Sequence, residues 1–315
     1  DHRDLHSFPT RRSSDLWAQV QKERQGKVGP RLGRELPERR WAAVSREPRL
    51  ARRPLMLASE PVSARPGYVL DYVIITTGAS NLTFRGDETY YVVYSTTLTG
   101  TTTLEGGAVI KYAPYNGSSP VPQLIVNGPL VCATSAYRPV VFTARDDQSV
   151  GAWITNSLAM PLTNQFYARR CMVLQIDSSQ AVLEHVRIRH GWTPLVFNAR
   201  AGSVRHVQFQ YCANPIYAYA GSQVVVENYL GAYLTGRGIT TTAAFKVATS
   251  GTIDASHATV HDAVHLWEKD TSTNSLTLRN SLVVGVPSTN IIHYNGRNDP
   301  AYGNFEASSG INIFI

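Results

Sequence analysis

From Ala181 to Val286 apolar and polar residues alternate in short runs, and the parity of the alternation slips by one at regular intervals. Leu183-Glu184-His185-Val186-Arg187-Ile188 sets the phrase. Val204-Arg205-His206-Val207-Gln208-Phe209, Val226-Glu227-Asn228-Tyr229-Leu230-Gly231, Ala255-Ser256-His257-Ala258-Thr259-Val260 and Leu278-Arg279-Asn280-Ser281-Leu282-Val283 restate it. Strand side chains alternate faces with period two, so the slip would turn the second half of each phrase inside out unless the chain bends at the His or Asn. Both residue types tolerate the left-handed backbone that such a bend needs. The markers His185, His206, Asn228, His257 and Asn280 are 21, 22, 29 and 23 residues apart, a spacing within the range of solenoid repeats. Stacked, they form one structural column in which side chains bond along the stack. The positions before them, Glu184, Arg205, Glu227, Ser256 and Arg279, form an outward row of largely alternating charge.

A third apolar run follows each marker by roughly ten residues: Leu195-Val196-Phe197, Ile216-Tyr217-Ala218, Ala244-Phe245, Val264-His265-Leu266 and Ile291-Ile292. Three short strands per repeat predict an all-β fold, a single-stranded right-handed parallel β-helix with about 24 residues per coil.

Upstream, strands are expected at Tyr68 to Ile75, Leu82 to Phe84, Tyr90 to Thr99, Thr101 to Tyr112, Gln123 to Val131 and Pro139 to Thr143, rich in Thr, Val and Tyr. Gly, Pro and Asn punctuate them. Residues 144–171 break the rhythm as a long loop excursion, and such loops are usually functional or lie over the solenoid as a flap. The run Thr102 to Tyr112, then Leu124-Ile125-Val126-Asn127-Gly128-Pro129-Leu130, then Pro139-Val140-Val141-Phe142-Thr143 resembles the opening coils of bacterial right-handed parallel β-helix repeat proteins of the pectate-lyase-like superfamily. The resemblance spans Leu82 to Val286. It implies a secreted or cell-surface habitat and leaves function open among lyases, hydrolases, depolymerases, adhesins and inert stalks.

Charge divides the chain. Residues 1–65 carry 15 Lys and Arg against 8 Asp and Glu, whereas residues 66–315 carry 15 of each. The net charge of +7 therefore belongs to the front segment, and the repeat domain gives no argument for a nucleic-acid partner. Residues 1–16 resemble the translation of a sequencing-library adapter and are read as a scar. Residues 17–65 are expected to be a disordered or out-of-frame basic segment, residues 66–297 the β-helix, and residues 298–315 a cap or truncated end. The chain starts without Met and is read as a fragment, so a missing signal peptide says nothing against secretion. No apolar run has the length of a membrane span. Cys132, Cys171 and Cys212 are too few and scattered for a disulfide framework or zinc site, and buried free thiols are expected.

Candidate chemistry is sparse. Asp146-Asp147 reads first as a solvated, turn-forming pair and second as Ca²⁺ ligands or an acid–base pair; otherwise no cofactor is expected. Arg187-Ile188-Arg189-His190-Gly191 and Ile253-Asp254-Ala255-Ser256-His257 only echo polygalacturonase and pectate lyase phrases. His261 and His265, four apart, would suit a metal on a helix, but the register places them on different strands. Tyr217 and Tyr219 alternate with small apolar residues and are expected to face outward, with His265 and Trp267 near the same column two coils on. Such aromatics read first as rim residues covered by loops or a neighbouring subunit and second, beside Arg187 and Arg189, as a surface suited to sugars or acidic glycans. The binding candidates are thus Tyr217, Tyr219, Trp267, Arg187, Arg189, Asp146 and Asp147. Their partner is expected to be a polysaccharide or cell-surface glycan, held by a non-catalytic scaffold. A divergent polysaccharide lyase or hydrolase, with Arg187, Arg189 and the Asp pair as its residues, and a stalk segment of a larger adhesin are the alternatives. The oligomeric state stays open.

Overall fold

A computed structural model describes residues 72–163, 165–175, 180–234, 242–271, 274–287, 291–294, 297–298 and 312–314. The expectations for residues 1–65 and for Tyr68 to Asp71 lie outside this set. Among the described residues there is no helix, and hence none long and apolar enough to cross a membrane. Long parallel sheets account for the fold, an architecture consistent with a β-solenoid.

One sheet runs through Val73–Ile75, Thr89–Val92, Val109–Tyr112, Val140–Ala144, Ala181–Arg189, Gly202–Gln210, Gln223–Leu234, Thr252–Ala263, Leu282–Val284 and Asn312–Phe314, with Ser275–Arg279 beside Thr252–Ala263. A second runs through Ala79–Ser80, Ser95–Thr99, Gln123–Asn127, Arg170–Leu174, Leu195–Asn198, Ile216–Tyr219, Ala243–Val247, His265–Lys269, Ile292–Tyr294 and Arg297–Asn298. Every pairing in both is parallel except the last of the second sheet. Thr83–Phe84, Thr102–Glu105 and Leu130–Ala133 form a small parallel sheet of their own. Asn312–Phe314 continues the first sheet, so part of the segment read as a cap adds another parallel strand.

The upstream runs are shorter than the pattern suggested. Tyr90 to Thr99, Thr101 to Tyr112 and Gln123 to Val131 each divide into two strands at a corner. Thr, Val and Tyr suit either arm of a corner, so composition alone does not reveal the break. Gly107, at φ 93°, turns the corner between Thr102–Glu105 and Val109–Tyr112.

From Ala181 to Ala263 the two arms run as single bent strands, and around Asn280 they part again into Ser275–Arg279 and Leu282–Val284. His185, His206, Asn228, His257 and Asn280 take φ of 51°, 52°, 53°, 54° and 48°, and the flanking pairs keep them in register across neighbouring strands. Two further corner columns have the same backbone. His190, Tyr211, Tyr233, Asp262 and Gly285 lie at φ of 61°, 56°, 53°, 54° and 71°, and Ala199, Ala220 and Thr249 at 52°, 54° and 51°. Three left-handed corners thus divide the coils from Ala181 to Thr249 into three faces. A bulky residue at positive φ costs roughly 1–2 kcal/mol. In the second column ring stacking offsets that cost: His190 on Tyr211 at 5.2 Å and Tyr211 on Tyr233 at 5.3 Å.

The inward side chains stack in the same registers. Leu183, Val204, Val226, Ala255 and Leu278 are in line across the first face, all fully buried. Leu195, Ile216, Phe245 and Trp267 do the same on the third face. Cys171 and Cys212 are buried free thiols and Cys132 a half-buried one.

Candidate functional site

The outward side of the third face carries the richest set of ligand-binding side chains. Ile216 and Ala218 point inward and are fully buried, which turns Tyr217 and Tyr219 outward, their rings 5.7 Å apart. Pairing by register then aligns Val173, Val196, Tyr217, Lys246 and Glu268 in one outward row. Lys246 Nζ lies 5.4 Å from the centre of the Tyr217 ring and 2.7 Å from Glu268 Oε1. Beyond the near end of this row stands Arg170, half-buried. Burial, and then the neighbouring Arg169 charge, lower the proton affinity of its guanidinium. Among the described residues no acid pairs with Arg169 or Arg170. Burial pushes the Tyr217 hydroxyl up to about 12, with Asp270, Tyr219 and Glu268 adding to it.

Two adjoining hollows share Arg170 and Tyr217. One, of about 330 Å³, is lined by Gln175, Val196, Asn198 and Tyr219. The other, of about 280 Å³, is lined by Tyr115, Arg169, Trp192, Thr193, Asn214 and Lys246. Trp192 is held in place by ring contacts with Tyr115 at 5.5 Å and Phe166 at 6.0 Å. Phe166–Tyr167 in turn pairs antiparallel with Pro114–Tyr115, so the end of the excursion forms one wall of the groove. Asn198 donates to Gln175 at 2.8 Å along its floor. The groove is therefore basic, aromatic and amide-lined, a combination suited to a polyhydroxylated anion.

Several sequence expectations are corrected by these positions. Trp267 is in the core, 1% exposed, and His265 is buried with Nδ1 3.0 Å from the Thr242 carbonyl oxygen. The strand buries His265, Leu266 and Trp267 consecutively, which erases the alternation that would mark an outward ring. Register decides instead: Trp267 pairs with Phe245 and Glu268 with Lys246.

Arg187 and Arg189 do not lie beside the tyrosines. They belong to the first sheet, the tyrosines to the second. Arg187 is exposed, whereas Arg189 donates to Ser149 Oγ at 3.2 Å and approaches Asp147 at 3.5 Å.

The Asp146-Asp147 pair is buried rather than solvated, and its oxygens are occupied. Asp146 accepts from Leu158 N at 2.8 Å, from Arg145 Nε at 3.1 Å and from the Tyr167 hydroxyl. Asp147 accepts from the Thr143 hydroxyl at 2.7 Å and from Ser149 N and Oγ at 3.0 and 2.6 Å. Burial opposes its ionisation, but these bonds and Arg189 outweigh it and hold the carboxyl below the usual range. The pair organises the loop and offers no open oxygen to calcium.

Sequence reasoning missed Arg170, Lys246, Trp192 and Tyr115. Lys246 was within reach, since Phe245 inward places it outward in the same parity as Tyr217. Trp192 was not, because only the packing of the excursion makes it a wall.

The first corner column holds a third hollow, of about 420 Å³, lined by His185, Arg187, His206, Gln208, Asn228, Leu230, His257 and Thr259, together with Ala136 and Pro139. The His185 and His206 rings stack at 4.8 Å and 9°.

These features define a parallel β-solenoid-like protein with an aromatic, basic groove on one face. Comparison with protein-family models, with curated proteins and with solved structures gave no match.

Proposed function

We propose that the chain is a single-stranded, right-handed parallel β-helix from a secreted or cell-surface protein, and that its third face binds an acidic polysaccharide without turning it over. The observation that carries this reading is the continuity of the two hollows through Arg170 and Tyr217. A planar cation without an acid partner among the described residues would pair with a sugar carboxylate or sulfate. The Tyr217, Tyr219 and Trp192 rings would take the apolar faces of sugar rings, and Asn198 and Lys246, on the coils either side of the tyrosines, would bind hydroxyls along a chain whose units match the coil spacing of about 4.8 Å.

Affinity electrophoresis of the full chain against acidic and neutral polysaccharides tests it. Retention on an acidic glycan, weakened about tenfold or more by Arg170→Ala and by Tyr217→Ala, is the expected result. Retention unchanged in both variants overturns the assignment, and retention on no glycan leaves a mechanical stalk as the better reading.

One observation favours a polysaccharide lyase as the second reading. Arg169 and Arg170 line the same hollow, a paired-cation arrangement that would neutralise a uronate carboxylate and stabilise the enolate formed when the proton alpha to it is removed. Release of unsaturated product, followed by absorbance in the same panel and lost in Arg170→Ala, distinguishes it.

A further inference from the structure

We propose that Glu184, His185 and His206 form a site for one divalent transition-metal ion, of the zinc, nickel or copper class, at the first corner of the coil. His185 and His206 are neighbours in the left-handed column, and their shared backbone conformation sends both rings off the corner in the same direction. Glu184 lies one residue before His185, and its carboxylate reaches both rings. Its Oε1 is 3.7 Å from His185 Nε2 and 3.9 Å from His206 Nε2. One ligand atom from each of the three lies within 4.8 Å of the others.

Atoms bonded to one tetrahedral ion at about 2.0–2.1 Å stand roughly 3.4 Å apart. Closing the two carboxylate distances takes about half an ångström, and the two imidazoles must also turn out of their near-parallel 4.8 Å stack so that their ring nitrogens converge on the ion. Two imidazoles and one carboxylate select zinc, nickel or copper over calcium and magnesium, which take all-oxygen shells.

Two neighbours favour the site. Arg205, which faces Glu184 in register, pairs onward with Glu227 at 3.7 Å and leaves the Glu184 carboxylate to the histidines. The Asn228 side-chain amide nitrogen lies 3.2 Å from His206 Nδ1. A half-turn of this amide, which exchanges its nitrogen for its oxygen, lets it accept the Nδ1 proton and leaves the Nε2 lone pair for the ion. The next residue of the column thus serves as the outer partner, and the adjoining hollow leaves room for water at the remaining coordination positions. The site is at the first corner, not on the third face, and does not rest on the glycan reading.

Zinc titration of the metal-stripped full chain against a chromophoric chelator tests the proposal, with Cu²⁺ electron paramagnetic resonance as a second readout. Asn already stands in this column at 228 and 280, so His185→Asn and His206→Asn keep the left-handed backbone and the fold, checked by melting in chelator. Each is expected to weaken one zinc equivalent about tenfold or more, as is Glu184→Gln. Copper bound to the unsubstituted chain should show coupling to two imidazole nitrogens, lost in His206→Asn. His261→Asn, at the exposed second corner, should change nothing. The same zinc affinity and stoichiometry in the His185→Asn/His206→Asn double variant, or no saturable zinc binding by the unsubstituted chain, overturns the proposal.

Discussion

The Tyr167 hydroxyl donates to Oδ2 of Asp146 and so ties the end of the 144–171 excursion to its beginning. Nearby, Lys111 is fully buried and donates from Nζ to the carbonyl oxygens of Asp147 and Ala152 at 2.8 and 2.7 Å. The excursion is thereby fastened to the first sheet by charged groups that sequence reading would place at the surface.

Removing either end of that fastening should loosen the loop and the fold together. Asp146→Ala and Lys111→Met are each expected to cost about 2–4 kcal/mol, because each leaves buried polar partners unsatisfied. Urea denaturation measures the loss, and faster proteolysis within 145–163 locates it. For Asp147, whose carboxyl is held below its ordinary range, the contribution is complete above the unfolded value of about 3.9 and disappears as pH falls through the lowered folded value.

Alkaline pH should unfold the protein progressively. Burial raises the Tyr112 and Tyr229 hydroxyls well above their ordinary value, and raises Tyr90 to about 12 with help from a hydrogen bond to Glu88. A raised phenol keeps its proton in the folded state while the unfolded chain loses it. Its contribution is therefore complete below about pH 10 and decays above it. The buried thiols Cys132, raised to about 11, and Cys171 act with the same sign from about pH 9. Lys111, lowered by burial, acts in the opposite direction but is a single group. Each tyrosine contributes a slope of about 1.4 kcal/mol per pH unit. Melting points from pH 8 to 11.5 should fall ever more steeply. Tyr112→Phe should flatten that fall while losing about 1 kcal/mol at neutral pH, the worth of its bond to the Cys171 carbonyl.

Trp267 separates core from ligand surface. Its Nε1 is buried without a hydrogen-bond partner among the described residues, while Lys269 Nζ stands 4.7 Å from the ring centre. Trp267→Phe removes the unsatisfied donor and is expected to change stability by less than about 1.5 kcal/mol. Trp267→Ala should cost about 3–5 kcal/mol. Both are read by chemical denaturation.

Corner backbone should govern tolerance in the first column. His257→Asn is expected to change stability by less than about 0.5 kcal/mol, because Asn tolerates the left-handed region. His257→Val should cost at least about 1–2 kcal/mol, since a β-branched side chain clashes there. Thermal melting of the two variants distinguishes backbone strain from loss of the imidazole.

The first corner was legible because it is written twice, in the parity slip and in the residue at the slip. The second corner was not, since His190, Tyr211, Tyr233, Asp262 and Gly285 share a backbone conformation, but only the first three share an aromatic side chain. Tyr217 and Tyr219 were legible because small buried residues flank them. Trp267 misled because three successive buried residues carry no parity.

The sequence by itself determined the period of the repeat, the place of the first bend and the inward column from Leu183 to Leu278, since alternation and left-handed tolerance are local properties of the chain. Tertiary structure alone decided what meets across coils. It brought Arg170, Trp192 and Lys246 around Tyr217, buried the Asp146-Asp147 pair, and separated Arg187 from the tyrosines. These outcomes depend on register between strands some 20–30 residues apart and on how a long loop packs back. Neither is encoded in the order of polar and apolar residues along any one strand.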